Sequence, residues 1–390
     1  MNYMAAAQSK ASHPHDRPGS DSLSAASVPS AWRVDLRSEY DFLQPEYAEL
    51  FAASDATAFQ HPVWLHHIYT SLAPARRARM AVVTIRDAAD RLVGLVPLIL
   101  RTKTGVRLLE TTDLGVSDYA CPVLHRDVAA ELLATPGLRE RIASILPPHD
   151  IMRIRPIRSE HADVWQALLG GKPEFLGFSA HATELGDDHA RWRAEKAVKS
   201  LRGRLSRAEK QIAKQGGATL HRLQTESDIR AALAAIQSLR AGRFDGDPIQ
   251  EDLVRDFYAE AALAGANEGF AGLYRLDIDD APAGYVFGLC WRGVYHYLLI
   301  GCDYQTYSRC SPGLVLYDRI IGDLIDRGDR VFDFTIGDEP FKADFGTEAT
   351  PMFGLFETPT WLGRLARTAF EARERRKRAR DSEDGAAGGK

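Results

Sequence analysis

A lysine set between aromatics, aspartates at strand ends and an arginine ahead of a serine-proline-glycine step are the residues here best suited to chemistry. Lys342 lies in Phe341-Lys342-Ala343-Asp344-Phe345, directly after Gly337-Asp338-Glu339, where a lysine can hold a phosphate or steady an oxyanion; otherwise it is a solvated lysine flanked by core aromatics. Asp303 ends an apolar run and can act as general base on a hydroxyl or amine. Asp333 alternates with Phe332 and Phe334, so it faces the other way from them. Either aspartate serves equally as a turn or strand-end residue. Tyr304 and Tyr307 can give a proton to a departing group or simply pack with a satisfied hydroxyl. Arg309 precedes Ser311-Pro312-Gly313, and serine before proline marks a helix start. Free N–H groups and the positive dipole end at such a start suit phosphate, and Arg309 adds a charged fork. The plain alternative is an ordinary, well-capped strand–helix–strand unit.

The elements that must position these residues follow from periodicity. In the C-terminal half the pattern predicts a strand at 218–223, helices over 226–243 and 248–264, and three strands at 270–278, 283–291 and 294–302. Asp279-Asp280 and Arg292-Gly293 are short turn signals, so the three strands form an antiparallel meander. The helix from Pro312, a strand at 331–334, a short helix or turn at Lys342 and a strand at 353–357 complete the half. The N-terminal half shows the same order: a strand at 32–36, helical segments at 47–53 and 62–72, and strands at 80–85, 92–100 and, interrupted, 106–124. A helix over 128–146, a strand at 151–157, a helix at 161–169 and a strand at 175–183 follow. The residues do not repeat but the order does, which a duplicated fold explains.

Formal net charge is −4, so no global excess drives binding to nucleic acid or membrane. Cys121, Cys290, Cys302 and Cys310 form no CxxC pair, and His66-His67 has no third ligand in view, so no metal site is expected. No apolar run reaches the roughly 18–20 residues of a membrane span, and 1–30 lacks the apolar segment of a secretory signal. It reads as a disordered leader, and the stretch past 373 as a disordered tail; a cytoplasmic location follows. Between the halves, 192–215 is a basic amphipathic helix carrying Lys199, Arg202 and Lys210, either a solvated face or a grip on RNA phosphates. In 361–380, Trp361, Leu362, Leu365, Ala369 and Phe370 share a side beside several arginines. Docking of this helix on the second domain is expected in preference to an anionic membrane surface.

The order of elements resembles the Gcn5-related N-acetyltransferase (GNAT) fold in tandem, and is similar to the CelD/BcsL-type, BioF-like acetyltransferases, distant relatives of the Fem aminoacyl transferases. Carrying the resemblance are Phe59-Gln60-His61-Pro62-Val63-Trp64, the strand from Leu92 through Pro97-Leu98, Ser117-Asp118-Tyr119, Ser311-Pro312-Gly313, Phe332-Asp333-Phe334, and Gly337-Asp338-Glu339 with Phe341-Lys342. The usual pyrophosphate loop of pattern [RQ]xxGx[GA] is met only by Arg309 and one glycine, and Pro312 removes a donor. The resemblance implies an α/β fold of the α+β type: two GNAT-like domains at 31–190 and 217–360, joined by the basic helix at 191–216, each a mixed, mostly antiparallel sheet flanked by helices. It implies an acyltransferase using acetyl-CoA or another acyl-CoA. The acceptor would be a hydroxyl or amine of a sugar or polysaccharide precursor. Lys342, Asp303 and Tyr307 would be catalytic, Arg309, Ser311 and Gly313 would hold the donor, and Asp118, Tyr119, Asp333 and Asp338 would meet the acceptor. The rivals are a Fem-like transferase fed by aminoacyl-tRNA, for which the basic helix would be the contact, and a non-catalytic binding module.

Overall fold

The computed structural model describes residues 32–244 and 246–369; the expected leader at 1–30 and the tail past 369 lie outside the described residues. Fifteen strands occur among these residues: β1 (Arg33–Arg37), β2 (Ala78–Met80), β3 (Val82–Arg86), β4 (Leu92–Val96), β5 (Leu98–Lys103), β6 (Val106–Thr111), β7 (Val123–Leu124), β8 (Ile151–Arg158), β9 (Pro173–Glu184), β10 (Ala218–Leu223), β11 (Ala271–Ile278), β12 (Ala281–Trp291), β13 (Val294–Cys302), β14 (Val331–Ile336) and β15 (Glu348–Glu357). A small sheet has the order β1-β3-β4-β7, and a long one the order β10-β11-β12-β13-β14-β9-β15-β8-β6-β5-β2. Pro97, which has no N–H to give a ladder, separates β4 in the first sheet from β5 in the second.

The predicted meander is present: β11, β12 and β13 pair antiparallel. Its turns place Asp279, Asp280, Arg292 and Gly293 at positive φ, as tight hairpin turns demand. Other expectations shift for identifiable reasons. The helix expected over 192–215 is two, His189–Glu195 and Lys199–Ala213. At the break Val198 is extended, and its N–H donates to Asp344 O at 2.9 Å, a tertiary bond that outweighs local helix preference. The helix expected over 128–146 is split into Arg126–Ala134 and Leu138–Ile145 by Pro136 and by Gly137 at φ 74°. The interrupted strand at 106–124 is β6 and the two-residue β7, and the final strand starts earlier, at Glu348.

The two halves are built alike and interlocked. In each, two parallel strands pair over only three residues and then part: Leu108–Glu110 against Ile151–Arg153, and Val294–His296 against Val331–Asp333. The last strand of each half crosses over. β9, the end of the N-terminal half, pairs with β14, while β15, the end of the C-terminal half, pairs with β8 and β9. Read outward from the β9–β15 pair, the sheet is near-palindromic, with equivalent strands at equivalent distances. A chain boundary at 190 therefore parts β9 from β14 on one side and β15 from β8 on the other.

Three apolar clusters fill the space beneath these sheets, and the largest spans both halves: Tyr47, Phe59 and Trp64 share it with Phe257, Phe270 and Phe287. The terminal helix at 361–369 behaves otherwise than expected. Trp361 is 72% and Leu365 60% exposed, so this apolar side does not dock. The helix is held instead by polar bonds, Thr360 Oγ1 to Asp150 at 3.0 Å and Arg367 to Glu174 at 3.0 Å. No helix among the described residues is long and apolar enough to cross a membrane.

The exchange has a direct test. Neither 32–190 nor 191–369 expressed alone is expected to unfold cooperatively, whereas the two co-expressed should associate and give one sharp urea transition. Cooperative unfolding of either half alone would contradict interlocking.

Candidate active site

The resemblance-bearing motifs of the N-terminal half meet in space and clamp one segment. Gln60 Nε2 donates to Tyr119 O at 2.8 Å, Trp64 Nε1 donates to Ser117 Oγ at 2.9 Å, and the Phe59 and Tyr119 rings stand edge to face at 5.4 Å. Gln60 is itself fixed by a capping box with Thr57. Asp118 is thus gripped on both sides. Tyr119 then reaches across to the other half, its hydroxyl donating to the Asp333 carboxylate at 2.9 and 3.0 Å. Arg158 Nη1 donates to the same carboxylate at 3.2 Å and lies over the Tyr119 ring. The Thr335 N–H donates to Asp333 at 2.8 Å. Asp333 does face away from Phe332 and Phe334, into this cluster, and is 1% exposed.

The cluster stands where β13 and β14 part, and both strands are irregular there. On β13, Phe287 opposes Leu299 and Gly288 opposes Tyr297, so Leu298 is an extra, bulged residue. Only glycine fits at 288, since a Cβ would sit 2.5 Å from both His296 O and the Tyr295 ring. On β14 the register slips between Asp333 and Ile336, and Thr335 takes φ 57°, rare for a β-branched residue and costly by about 1–3 kcal/mol. Its hydroxyl donates to Tyr297 O at 2.9 Å across the base of the gap. Beyond that bridge β13 has no strand partner on this side among the described residues. Thr335 carries no signal in the sequence; only the backbone reveals it.

Electrostatics single out Asp118. Burial pushes its carboxyl up to about 7, with Asp113 and Asp333 adding to the rise, while the Thr335 side chain and Lys342 work against it. Burial, and after it the nearby Asp333, holds the Tyr119 phenol well above its ordinary value. Burial pushes His296 down. Its ring packs near Phe59 and Tyr119, and its Nδ1 has no hydrogen-bond partner among the described residues.

Lys342 is 2% exposed and is neither a solvated lysine nor open to a ligand. Its Nζ donates to Ile336 O at 2.7 Å and Gly337 O at 2.9 Å, and pairs with Glu339 at 2.9 Å. It ties off the end of β14. Asp338 is exposed and accepts from His181 Nε2 at 2.8 Å and Ser179 N at 3.2 Å on β9.

The remaining candidates form a second group at the far end of β13. Six residues of strand lie between Asp303 and His296, the partner of Asp333, which is roughly 20 Å. Asp303 caps the turn Tyr304–Tyr307, accepting from Gln305 N at 3.0 Å and Thr306 N at 2.9 Å. Bonds from Thr306 hold its carboxyl below the usual range, which suits a cap better than a base. Tyr307 packs against the core, and burial raises its phenol. Arg309 is exposed. Ser311 is the residue before the helix Pro312–Asp326 but, at φ 46°, makes no side-chain cap, correcting the expected capping bond. Leu314 and Val315 N–H turn back to Ser311 O, and Gly313 is buried where a Cβ would meet the Tyr304 hydroxyl at 2.6 Å.

In the basic helix, Arg202 donates to the carbonyls of Ala194 and Ala197, and Arg204 pairs with Asp344. Arg193, ahead of it, pairs with Asp318 and Glu209. Three of the eight basic residues in 192–215 thus help hold the protein together.

A family model described as an acetyltransferase (GNAT) domain matches residues 199–343. That stretch runs from the basic helix to Lys342 and contains the parting of β13 from β14. Over that stretch the chain is similar to a GNAT domain. No curated protein sequence matches the chain significantly. Among solved structures, a conserved protein of unknown function from Bacteroides thetaiotaomicron VPI-5482 is 12% identical over 83% of this chain and 99% of its own, with a TM-score of 0.51. FemX is 11% identical over 77% of this chain and 96% of its own, with a TM-score of 0.51. L-PGS from Bacillus licheniformis is 11% identical over 82% and 93%, with a TM-score of 0.50. At these identities the likeness is one of fold, and it extends over both halves of the chain.

Two stability measurements test these assignments. Lys342→Met should cost about 2–4 kcal/mol in urea unfolding, because the carbonyls it satisfies stay buried. Asp118 has a folded value of about 7 against 3.8 ordinarily, so its penalty is absent at low pH and grows as pH rises from about 4 to 7. Asp118→Asn should therefore be more stable than the parent at pH 8, and the difference should vanish near pH 4.

Proposed function

We propose that the protein is an acyltransferase that takes an acyl group, most simply acetyl, from acyl-CoA and passes it to a hydroxyl or amine of a sugar or polysaccharide precursor, in the manner of the CelD/BcsL-type enzymes. The observation that carries this reading is the unpartnered edge of β13 running from the Leu298 bulge to the helix start at Gly313. A long donor lying along that edge would have its phosphates at one end and its thioester at the other. This accounts for two groups of candidates standing a strand's length apart.

At the phosphate end, the Gly313 N–H and Arg309 supply a donor and a charge. At the thioester end, backbone N–H groups beside the bulge steady the oxygen as charge develops on the carbonyl. Asp118, with its carboxyl near neutrality, takes the proton from the acceptor. The Asp333 carboxylate does not compete for that role, because Tyr119, Arg158 and Thr335 N–H already engage it. Lys342 and Asp303 act by holding β14 and the helix-leading turn in place. The rival in which aminoacyl-tRNA is the donor loses support from the internal ties of Arg193, Arg202 and Arg204.

Calorimetry with CoA tests the donor. Arg309→Ala should weaken binding by about 1.5–3 kcal/mol with unchanged melting. Asp118→Asn should leave CoA affinity intact and lower acetyl transfer by about 10²–10⁴-fold, removing the fall in rate on the acid side of pH 7. Absence of CoA binding by the folded parent would defeat the proposal, and undiminished turnover in Asp118→Asn would remove that residue from the mechanism.

A further inference from the structure

The N-terminal half has its own parting of parallel strands, and different chemistry occupies it. Where β6 and β8 separate beyond Glu110 and Arg153 there is a cavity of about 230 Å³. That is below the roughly 300–1,000 Å³ of whole-ligand pockets, so it suits one polar group of a larger molecule. Arg76, Arg101, Arg153 and Arg155 line it together with Glu110 and Asp113. Four guanidinium groups thus face two carboxylates, and counting Glu251, which pairs with Arg76 at 2.8 Å, still leaves positive charge in excess.

The arginines are held rather than loose. Glu110, 4% exposed, accepts from Arg101 Nε at 2.9 Å and also from Arg153, so one buried carboxylate fixes a guanidinium on each flanking strand. Arg153 and Arg155 lie two residues apart on β8 and therefore on one face. Thr111 Oγ1 donates to Arg155 O at 2.7 Å, fixing the backbone at the mouth. A second, narrow cavity shares Thr111, Asp113 and Arg155 with the first and reaches Ser117 and Tyr119. The arginine cavity thus adjoins, through side chains lining both, the segment that carries Asp118.

We propose that this cavity binds the phosphate of the acceptor, so that the acceptor is a sugar phosphate or a sugar joined to a nucleoside diphosphate. Planar forks fixed on neighbouring strands match phosphate oxygens in pairs. Held there, the acceptor lies beside the segment that carries Asp118. The role as acceptor site rests on the transferase reading; the capacity to bind phosphate does not.

The test is calorimetric titration of the intact protein with inorganic phosphate and, separately, pyrophosphate, each with and without saturating CoA. Pyrophosphate should bind with CoA present, and Arg76→Gln and Arg155→Gln should each weaken it on the order of tenfold while CoA binding is unchanged. Tighter binding of phosphate than pyrophosphate would assign a monoester acceptor, and the reverse a diphosphate. On the parent protein, pyrophosphate should also slow phenylglyoxal modification of Arg101, Arg153 and Arg155, read by peptide mass spectrometry. No anion binding once CoA is present, unaltered affinity in both variants, or no protection of these arginines would overturn the proposal. Failure of CoA to bind while pyrophosphate does would defeat the transferase reading and leave the anion site standing.

Discussion

The buried carboxylate of Asp333 is the constraint around which the two halves are arranged. A charge at 1% exposure is costly unless every lone pair is engaged, and here the partners come from three directions. Tyr119 and Arg158 belong to the N-terminal half, and the Thr335 N–H to the strand of Asp333 itself. To bring that N–H round, the backbone of Thr335 must adopt a left-handed conformation, which breaks the register of β14 and turns it from β13. The gap in the sheet and the join between the halves thus both serve the same buried carboxylate. Exchange of β9 and β15 supplies the surface that brings Arg158 alongside.

The same arrangement separates the duties of two neighbouring aspartates. Asp333 is surrounded by donors, whereas Asp118, gripped through its neighbours Ser117 and Tyr119, is half-buried with few donors and takes a value near 7. Asp118 can thus titrate near neutrality a short distance from a carboxylate whose oxygens are already engaged. Lys342 lends its charge to the end of β14 and only distantly to Asp118.

Much of the architecture was legible because local rules govern it. The meander, its two turns and the Pro312 helix rest on alternation, positive-φ turn residues and a proline at a helix start. The facing of Asp333 followed from alternation with Phe332 and Phe334. What escaped depended on distant contacts. The Val198 break answers to Asp344, and the exposed side of Trp361 to the bonds of Thr360 and Arg367. The exchange of last strands is invisible because either pairing leaves the order of elements unchanged. The polarity of Lys342 suggested a ligand, but a lysine amine serves three carbonyl-rich residues of its own chain equally well. Thr335 and the four arginines of the N-terminal cavity, scattered from Arg76 to Arg155, form no motif at all.

The crossing of the last strands also orders events in the life of the chain. As synthesis proceeds from the N-terminus, β8 and β9 emerge long before their partners β15 and β14 exist. Until then each presents a bare edge, a template for pairing with other chains. Contacts between residues as remote as Arg158 and Met352 raise the mean sequence separation of the fold, which slows its formation. Nascent chains therefore pass through a stage with open sheet edges in one half and no means of closing them. A chaperone that covers β8 and β9 would be expected to govern yield more than any change in the stability of the finished protein.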